Sequence, residues 1–168
     1  MIIRTEKESD INAIFEITKQ AFENHPVSHG TEQFIINALR KDNALTISLV
    51  AEIEEKVVGH IAFSLLTISD GSCDWYALGP ISVQPKFQWQ GIGQALIHEG
   101  LSQLKSLGSQ GCVLVGPPKY YNRFGFKSFS ELNIEGVPQQ YVLALPFNEK
   151  IATGLITHHQ AFSVKNET

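Results

Sequence analysis

The sequence has little cysteine, little charge and no long apolar run. Its two cysteines, Cys73 and Cys112, lie 39 positions apart in 168 residues. With no CxxC pair and no Cys/His spacing for zinc, neither a disulfide framework nor a metal site is expected. The longest apolar stretch, around Ile61 to Ile68, is far short of the ~20 residues that cross a bilayer. The first eight residues, Met1-Ile2-Ile3-Arg4-Thr5-Glu6-Lys7-Glu8, lack an apolar signal core, so a cytoplasmic protein without a membrane partner is expected. Charged residues make up 18%, and 13 Lys+Arg against 17 Asp+Glu leave a net charge of −4. Proteins that bind nucleic acid are usually basic, so a polyanionic partner is not expected. A small anionic ligand stays open, because backbone amides can hold one without any net charge.

What is present describes one domain over residues 1–168. Hydrophobic residues reach 43%, and no repeat, low-complexity tract or long linker divides the chain. Ile2-Ile3-Arg4 opens as a strand. Ser9 is placed to cap a helix carrying Ile11, Ile14, Phe15, Thr18 and Phe22, and Thr31 to cap a second with Phe34, Ile35, Ala38 and Leu39. The β-branched segments Leu45 to Ile53 and Lys56 to Ile68 read as a hairpin turning at Glu54-Glu55. A strand from Trp75 to Val83 precedes a helix from Gly91 to Leu107 with an apolar stripe at Leu96, Gly100, Leu104 and Leu107, closed by Gly108. The wholly apolar Cys112 to Val115 predicts a strand buried on both faces. A short helix within Pro117 to Phe124, strands near Phe126–Leu132 and Gln140–Leu145, and an edge strand in the tail complete the reading. The class is α+β: a mostly antiparallel sheet flanked by helices, with a strand–helix–strand crossover making one central parallel pair.

The crossover carries the chemistry. Between the strand end at Val83 and the helix lie Gln84-Pro85-Lys86-Phe87-Gln88-Trp89-Gln90-Gly91-Ile92-Gly93-Gln94. A helix start has unpartnered N–H groups and partial positive charge, and glycines let a phosphate come close to them. Two familiar phosphate motifs fail here. A P-loop needs Gly-Lys-Ser/Thr, and a dinucleotide fingerprint needs a third glycine where Leu96 stands and an acid ~20 residues on, where Gly111 stands.

The run Gln88-Trp89-Gln90-Gly91-Ile92-Gly93 instead fits Gln/Arg-x-x-Gly-x-Gly/Ala, and Tyr120-Tyr121-Asn122-Arg123-Phe124-Gly125-Phe126 fits an aromatic-Tyr-x-x-x-Gly-Phe block. In this order, one helix and one buried strand apart, they resemble the acetyl-CoA signature and C-terminal block of the GNAT superfamily of N-acetyltransferases. Val50 to Phe63, Leu78-Gly79-Pro80 and His159-Gln160-Ala161-Phe162 resemble its YhbS-like bacterial subgroup.

The resemblance implies an N-acetyltransferase that uses acetyl-CoA as co-substrate. Ile81, Ser82 and Val83 would line the cofactor's pantetheine arm, where Gly79-Pro80 breaks the ladder and lets the parallel strands splay. Gln88, Trp89, Gln90, Gly91, Ile92, Gly93 and Gln94 would hold the diphosphate. Trp89 stands where glycine is common, and Lys86 is the one cation close in sequence. Val83 N–H would face the developing oxyanion, and Tyr121 would protonate the leaving thiolate. Helical spacing puts Tyr120 and Phe124 on one face, expected to be buried, and turns Tyr121 elsewhere. Ala77 occupies the position where some relatives carry a glutamate base, which leaves Asp74, Glu52, His60 or an ordered water. The acceptor would be a primary amine on a small molecule or peptide; a homodimer is compatible with the sequence. A non-catalytic acyl-CoA-binding sensor or scaffold is the alternative.

Overall fold

The structure, a computed structural model, describes residues 1–165. Its elements are, in order, β1 (Ile2–Thr5), α1 (Ile11–Phe22), α2 (Glu32–Lys41), β2 (Ile47–Ile53), β3 (Lys56–Leu65), β4 (Thr67–Ile68), β5 (Trp75–Val83), α3 (Ile92–Ser106), β6 (Gly111–Val115), α4 (Pro118–Tyr121), β7 (Lys127–Ser128), β8 (Leu132–Asn133), β9 (Val142–Pro146) and β10 (Gly154–Thr157). The large sheet runs β1-β2-β3-β5-β6-β9-β7. Each of its pairs is antiparallel except β5 with β6. That is the α+β architecture expected from the sequence.

Local chemistry explains the joints. Glu54 and Glu55 take left-handed φ values of 49° and 65°, the geometry of a tight hairpin turn that matches strand twist. Helix α3 covers one face of the sheet, where Leu96, Ile97 and Leu104 pack with Leu49, Phe63 and Leu143. Gly100 permits that closeness, since a Cβ there would overlap the Phe63 ring. On the other face Ile14 of α1 and Ile36 of α2 meet Val50. Beneath these two helices lies a buried polar layer of Thr18, Ser48, His60 and Ser82.

Several expected details differ. Ser9 is exposed and caps nothing; the Asp10 carboxylate accepts from Lys7 N–H at 2.6 Å and from Arg4 at 2.7 Å, so the helix start is tied to β1. Leu107 lies past the last turn of α3 and is exposed, not part of the stripe. Lys56 to Ile68 is not one strand. After Leu65 the chain leaves the large sheet, and Thr67–Ile68 pairs with β10 in a three-stranded sheet, β4-β10-β8. The tail strand therefore lies at the centre of the small sheet and not at an edge. Residues 126–132 contribute only short pieces, β7 to the large sheet and the start of β8 to the small one.

Candidate active site

Strands β5 and β6 pair only where Trp75 to Ala77 face Gly111 to Val113. Beyond that, β5 is held by β3 alone and β6 by β9. The parting begins at Gly79-Pro80, where two steps on β3 (Ile61 to Phe63) oppose three on β5 (Ile81 to Leu78). Proline offers no ladder donor there, and Gly79 has a φ of 133° that side-chain-bearing residues rarely adopt. The register then fixes which way the backbone points. Gln84 N–H donates to Val58 C=O at 2.8 Å, so Gly59 and Val83 form a non-hydrogen-bonded pair, and by alternation so do Ile61 and Ile81. The N–H and C=O groups of Ile81 and Val83 consequently face away from β3, into the opening. The Gln88 side chain donates to Val83 C=O at 3.1 Å and ties the strand end to the following turn.

That turn presents a row of bare amides. Among the described residues, none of the N–H groups from Trp89 to Gln94 has a main-chain partner; the first helical bond of α3 is Ala95 N–H to Gly91 C=O, at 3.1 Å. Trp89 and Gly91 are left-handed, with φ of 68° and 83°. Turning the backbone this way lines up successive donors at the positive end of a 15-residue helix, a setting suited to a diphosphate. The Trp89 side chain is fully exposed at the rim.

The aromatic block forms the facing wall. Pro118 sits at the first position of α4, where its missing N–H costs nothing, and Gly125, with φ 95°, ends the turn that follows. The rings of Tyr120 and Tyr121 meet edge to face at 4.9 Å. Tyr121 packs over Gly116, where a Cβ would come within 2.6 Å of its ring. Burial, with a smaller push from Tyr120, raises the Tyr121 hydroxyl to about 12. Tyr120 does not sink into the core as the spacing suggested. It is half-buried, and its hydroxyl lies 3.6 Å from where a Gly93 Cβ would be, against the amide row.

A cavity of about 1360 Å³ joins these walls. Every expected site residue except Gln90 lines it: Ile81, Ser82, Val83, Gln88, Trp89, Gly91, Ile92, Gly93, Gln94 and Tyr121. Gln90 instead turns back toward Lys86 C=O. Lys86 is also off the cavity, with its ammonium over the Phe87 ring, whereas Arg123 lines it from above the Tyr120 ring at 4.7 Å. On the α1/α2 side the wall includes His25, Pro26, His29 and Glu32. Glu32 is the carboxylate of that lining, and Ser28 Oγ donates to it at 2.6 Å. Sequence reasoning passed over Glu32 and Arg123, because nothing local marks which surface charges will face a cleft.

The base candidates stand elsewhere. Glu52 is 3.5 Å from Arg4 near the sheet edge, and Asp74 is exposed in the turn before β5. His60 is wholly buried, bonded through Nε2 to Ser48 Oγ at 2.8 Å, and burial depresses it to about 4. None of the three lines the cavity. Among the described residues no three His, Cys, Asp or Glu side chains are grouped to hold a metal ion, and no helix is long and apolar enough to cross a membrane.

Comparison with known proteins agrees with this geometry. Residues 45–128 match the acetyltransferase (GNAT) domain family. A GNAT family acetyltransferase from Brucella melitensis, solved in complex with acetyl-CoA, is 43% identical; the match covers 96% of this chain and 97% of that one, with a TM-score of 0.86. The YhbS N-acetyltransferase of Escherichia coli, solved in complex with CoA, superposes with a TM-score of 0.88 over 97% of this chain and 92% of that one. In sequence, the uncharacterized N-acetyltransferase YhbS of E. coli strain K12 is 29% identical over 97% of this chain and 99% of its own length. A strand pair that parts beside a row of free amides, with matches of this extent, shows that the chain belongs to the GNAT family of acetyltransferases.

Proposed function

We propose that residues 1–168 act as one cytoplasmic N-acetyltransferase domain, moving an acetyl group from acetyl-CoA to a primary amine by direct attack on the thioester. The observation that carries this reading is the row of unpartnered amides from Trp89 to Gln94 leading into the opening beside Ile81 and Val83. These groups fit a diphosphate followed by an extended arm, and the Brucella and E. coli relatives were solved with acetyl-CoA and CoA. Arg123, stacked over the Tyr120 ring whose hydroxyl lies beside Gly93, would add a cation near the diphosphate.

Distance along β5 divides the work of the two inward-facing N–H groups. Val83 lies nearest the amide row and binds the arm. Ile81 is two residues deeper, about 7 Å at ~3.3 Å per residue, and its N–H receives the carbonyl oxygen as that oxygen gains charge. The oxyanion role expected of Val83 thus passes to Ile81 in this proposal. Tyr121 stands on the opposite wall and donates to the departing sulfur. On the α1/α2 side, the Glu32 carboxylate favours an acceptor that arrives as an ammonium ion. Asp74, Glu52 and His60 lie off the cavity, so of the four base candidates read from the sequence it is water that takes the proton of the ammonium before attack.

Thermal unfolding with acetyl-CoA, followed by thiol release across a panel of small-molecule and peptide amines, tests the reading. At ~100 times its Kd, acetyl-CoA should add ~2.7 kcal/mol of stability, and at least one amine should release CoA thiol. Stabilisation with no release from any amine supports the non-catalytic acyl-CoA-binding module instead. No stabilisation at all rejects both.

A further inference from the structure

One hydrogen-bonded chain crosses from α1 to the floor of the cavity, and its direction is fixed by proton count. Thr18 Oγ1, fully buried, donates to Ile14 C=O at 2.7 Å. A hydroxyl has one proton, so Thr18 can only accept from its second partner, Ser82 Oγ, at 3.2 Å. Ser82 therefore spends its own proton on Thr18. What remain on its oxygen are its two lone pairs. Ser82 is 4% exposed yet belongs to the cavity lining, between Ile81 and Val83 on β5. Its side chain points to the α1/α2 face, whereas the Ile81 and Val83 side chains pack into the core under α3. The strand thus offers N–H donors along its open edge and one hydroxyl that can only accept on the face lined by His25, His29 and Glu32.

We propose that Ser82 Oγ accepts a hydrogen bond from the attacking amine, holding the nitrogen lone pair toward a thioester carbonyl bound at the neighbouring strand N–H groups. This rests on the acetyltransferase reading above. A neutral amine N–H is a donor that such an oxygen can take, while a carbonyl oxygen or a thiolate, which need donors, gains nothing from it. No proton passes to Ser82; it orients. Thr18 is a positioning residue acting through Ser82, since its engagement with Ile14 C=O keeps the serine proton turned away from the cavity.

The test uses the full chain with acetyl-CoA and whichever amine gives the highest thiol release. Ser82→Ala should lower kcat/KM for the amine about tenfold, the scale of one lost oriented hydrogen bond, and leave the KM for acetyl-CoA within about twofold. Thr18→Val keeps the side-chain volume and frees the serine proton to rotate into the cavity, where it competes with the amine for that position; because Ser82 keeps its lone pairs, amine kcat/KM should fall by less than in Ser82→Ala, about threefold, with acetyl-CoA KM unchanged. If Ser82→Ala does not fold, Thr18→Val carries the test alone. Unchanged amine kcat/KM in a folded variant overturns the proposal, as does an equal loss in acetyl-CoA affinity. Failure of the wild type to turn over any amine refutes the acetyltransferase reading itself, a result separate from either variant outcome.

Discussion

Tyr121→Phe is expected to reduce kcat by about 100-fold, the lower end of what one preorganised donor to developing charge contributes. The KM for acetyl-CoA and the stabilisation it confers should stay close to wild type, because the ring that packs over Gly116 is kept and only the hydroxyl is lost. The Tyr121 hydroxyl, held at about 12 by burial, is protonated throughout the neutral range. An ordinary thiol titrates near 8.5, so full transfer of the tyrosine proton to sulfur would be uphill by roughly 3–4 units, or about 5 kcal/mol. The role we propose for Tyr121 is therefore that of a hydrogen-bond donor to charge building on sulfur, with the proton made up from the nitrogen as the C–N bond forms. Tyr120→Phe is the contrast. Its hydroxyl lies against the amide row at Gly93, so its loss should raise the acetyl-CoA KM more than it lowers kcat. Steady-state kinetics of both variants, with saturating amine, separate the two roles. Full turnover by Tyr121→Phe would remove the residue from the chemistry.

Acid should destabilise the fold well before its carboxylates are protonated, and His60 is the reason. Burial depresses its imidazole from 6.5 to about 4, partly countered by Glu6 and reinforced by Arg40. Ser48 Oγ also donates to Glu6 and so accepts from His60 Nε2–H, which leaves Nδ1 as a buried, unpartnered lone pair. Between those two pH values the unfolded chain binds a proton that the folded chain does not. Stability is then complete above pH ~6.5 and falls as the pH drops toward ~4, by roughly 3 kcal/mol. Glu6 adds its loss at lower pH. Burial alone would raise it, but Arg40 and Ser48 outweigh burial and hold it below the ordinary carboxylate value. Urea unfolding at a series of pH values measures this directly. His60→Gln should flatten the curve between pH 4 and 6.5, and an unchanged slope in that variant would assign the effect to other groups.

The contrast between these two residues shows what the sequence made legible. The place of Tyr121 on the cavity wall is legible from a contiguous block, and the amide row from another, because a turn and the helix it opens are local and their glycines carry the geometry. The splay was visible too, since Gly79-Pro80 cannot continue a ladder whatever surrounds it. Longer-range placement was not visible. The spacing of Tyr120 with Phe124 was right, but facing Phe124 does not decide burial when the cavity lies on the same side. Lys86 is close in sequence and Arg123 is not, yet the turn after α4 brings Arg123 to the cavity. In sequence Ser82 is marked only by its place between Ile81 and Val83; its partner Thr18, 64 residues earlier, appears only once α1 is laid across β5. The same holds for the hairpin strand that ran on through Ile68 in the sequence and changes sheet after Leu65 in the fold, because apolar alternation continues through a change of partner.

In the proposed complex acetyl-CoA lies along the parted β5 strand with its diphosphate on the amides before α3. Backbone amide NMR of the 15N-labelled protein, titrated with acetyl-CoA, addresses it most directly. The N–H signals of Ile81, Val83, Gly91 and Gly93 should shift together and saturate with one affinity, while those of Ile2 and Arg4 at the far sheet edge stay in place. Saturable binding that leaves those four signals unmoved would contradict it.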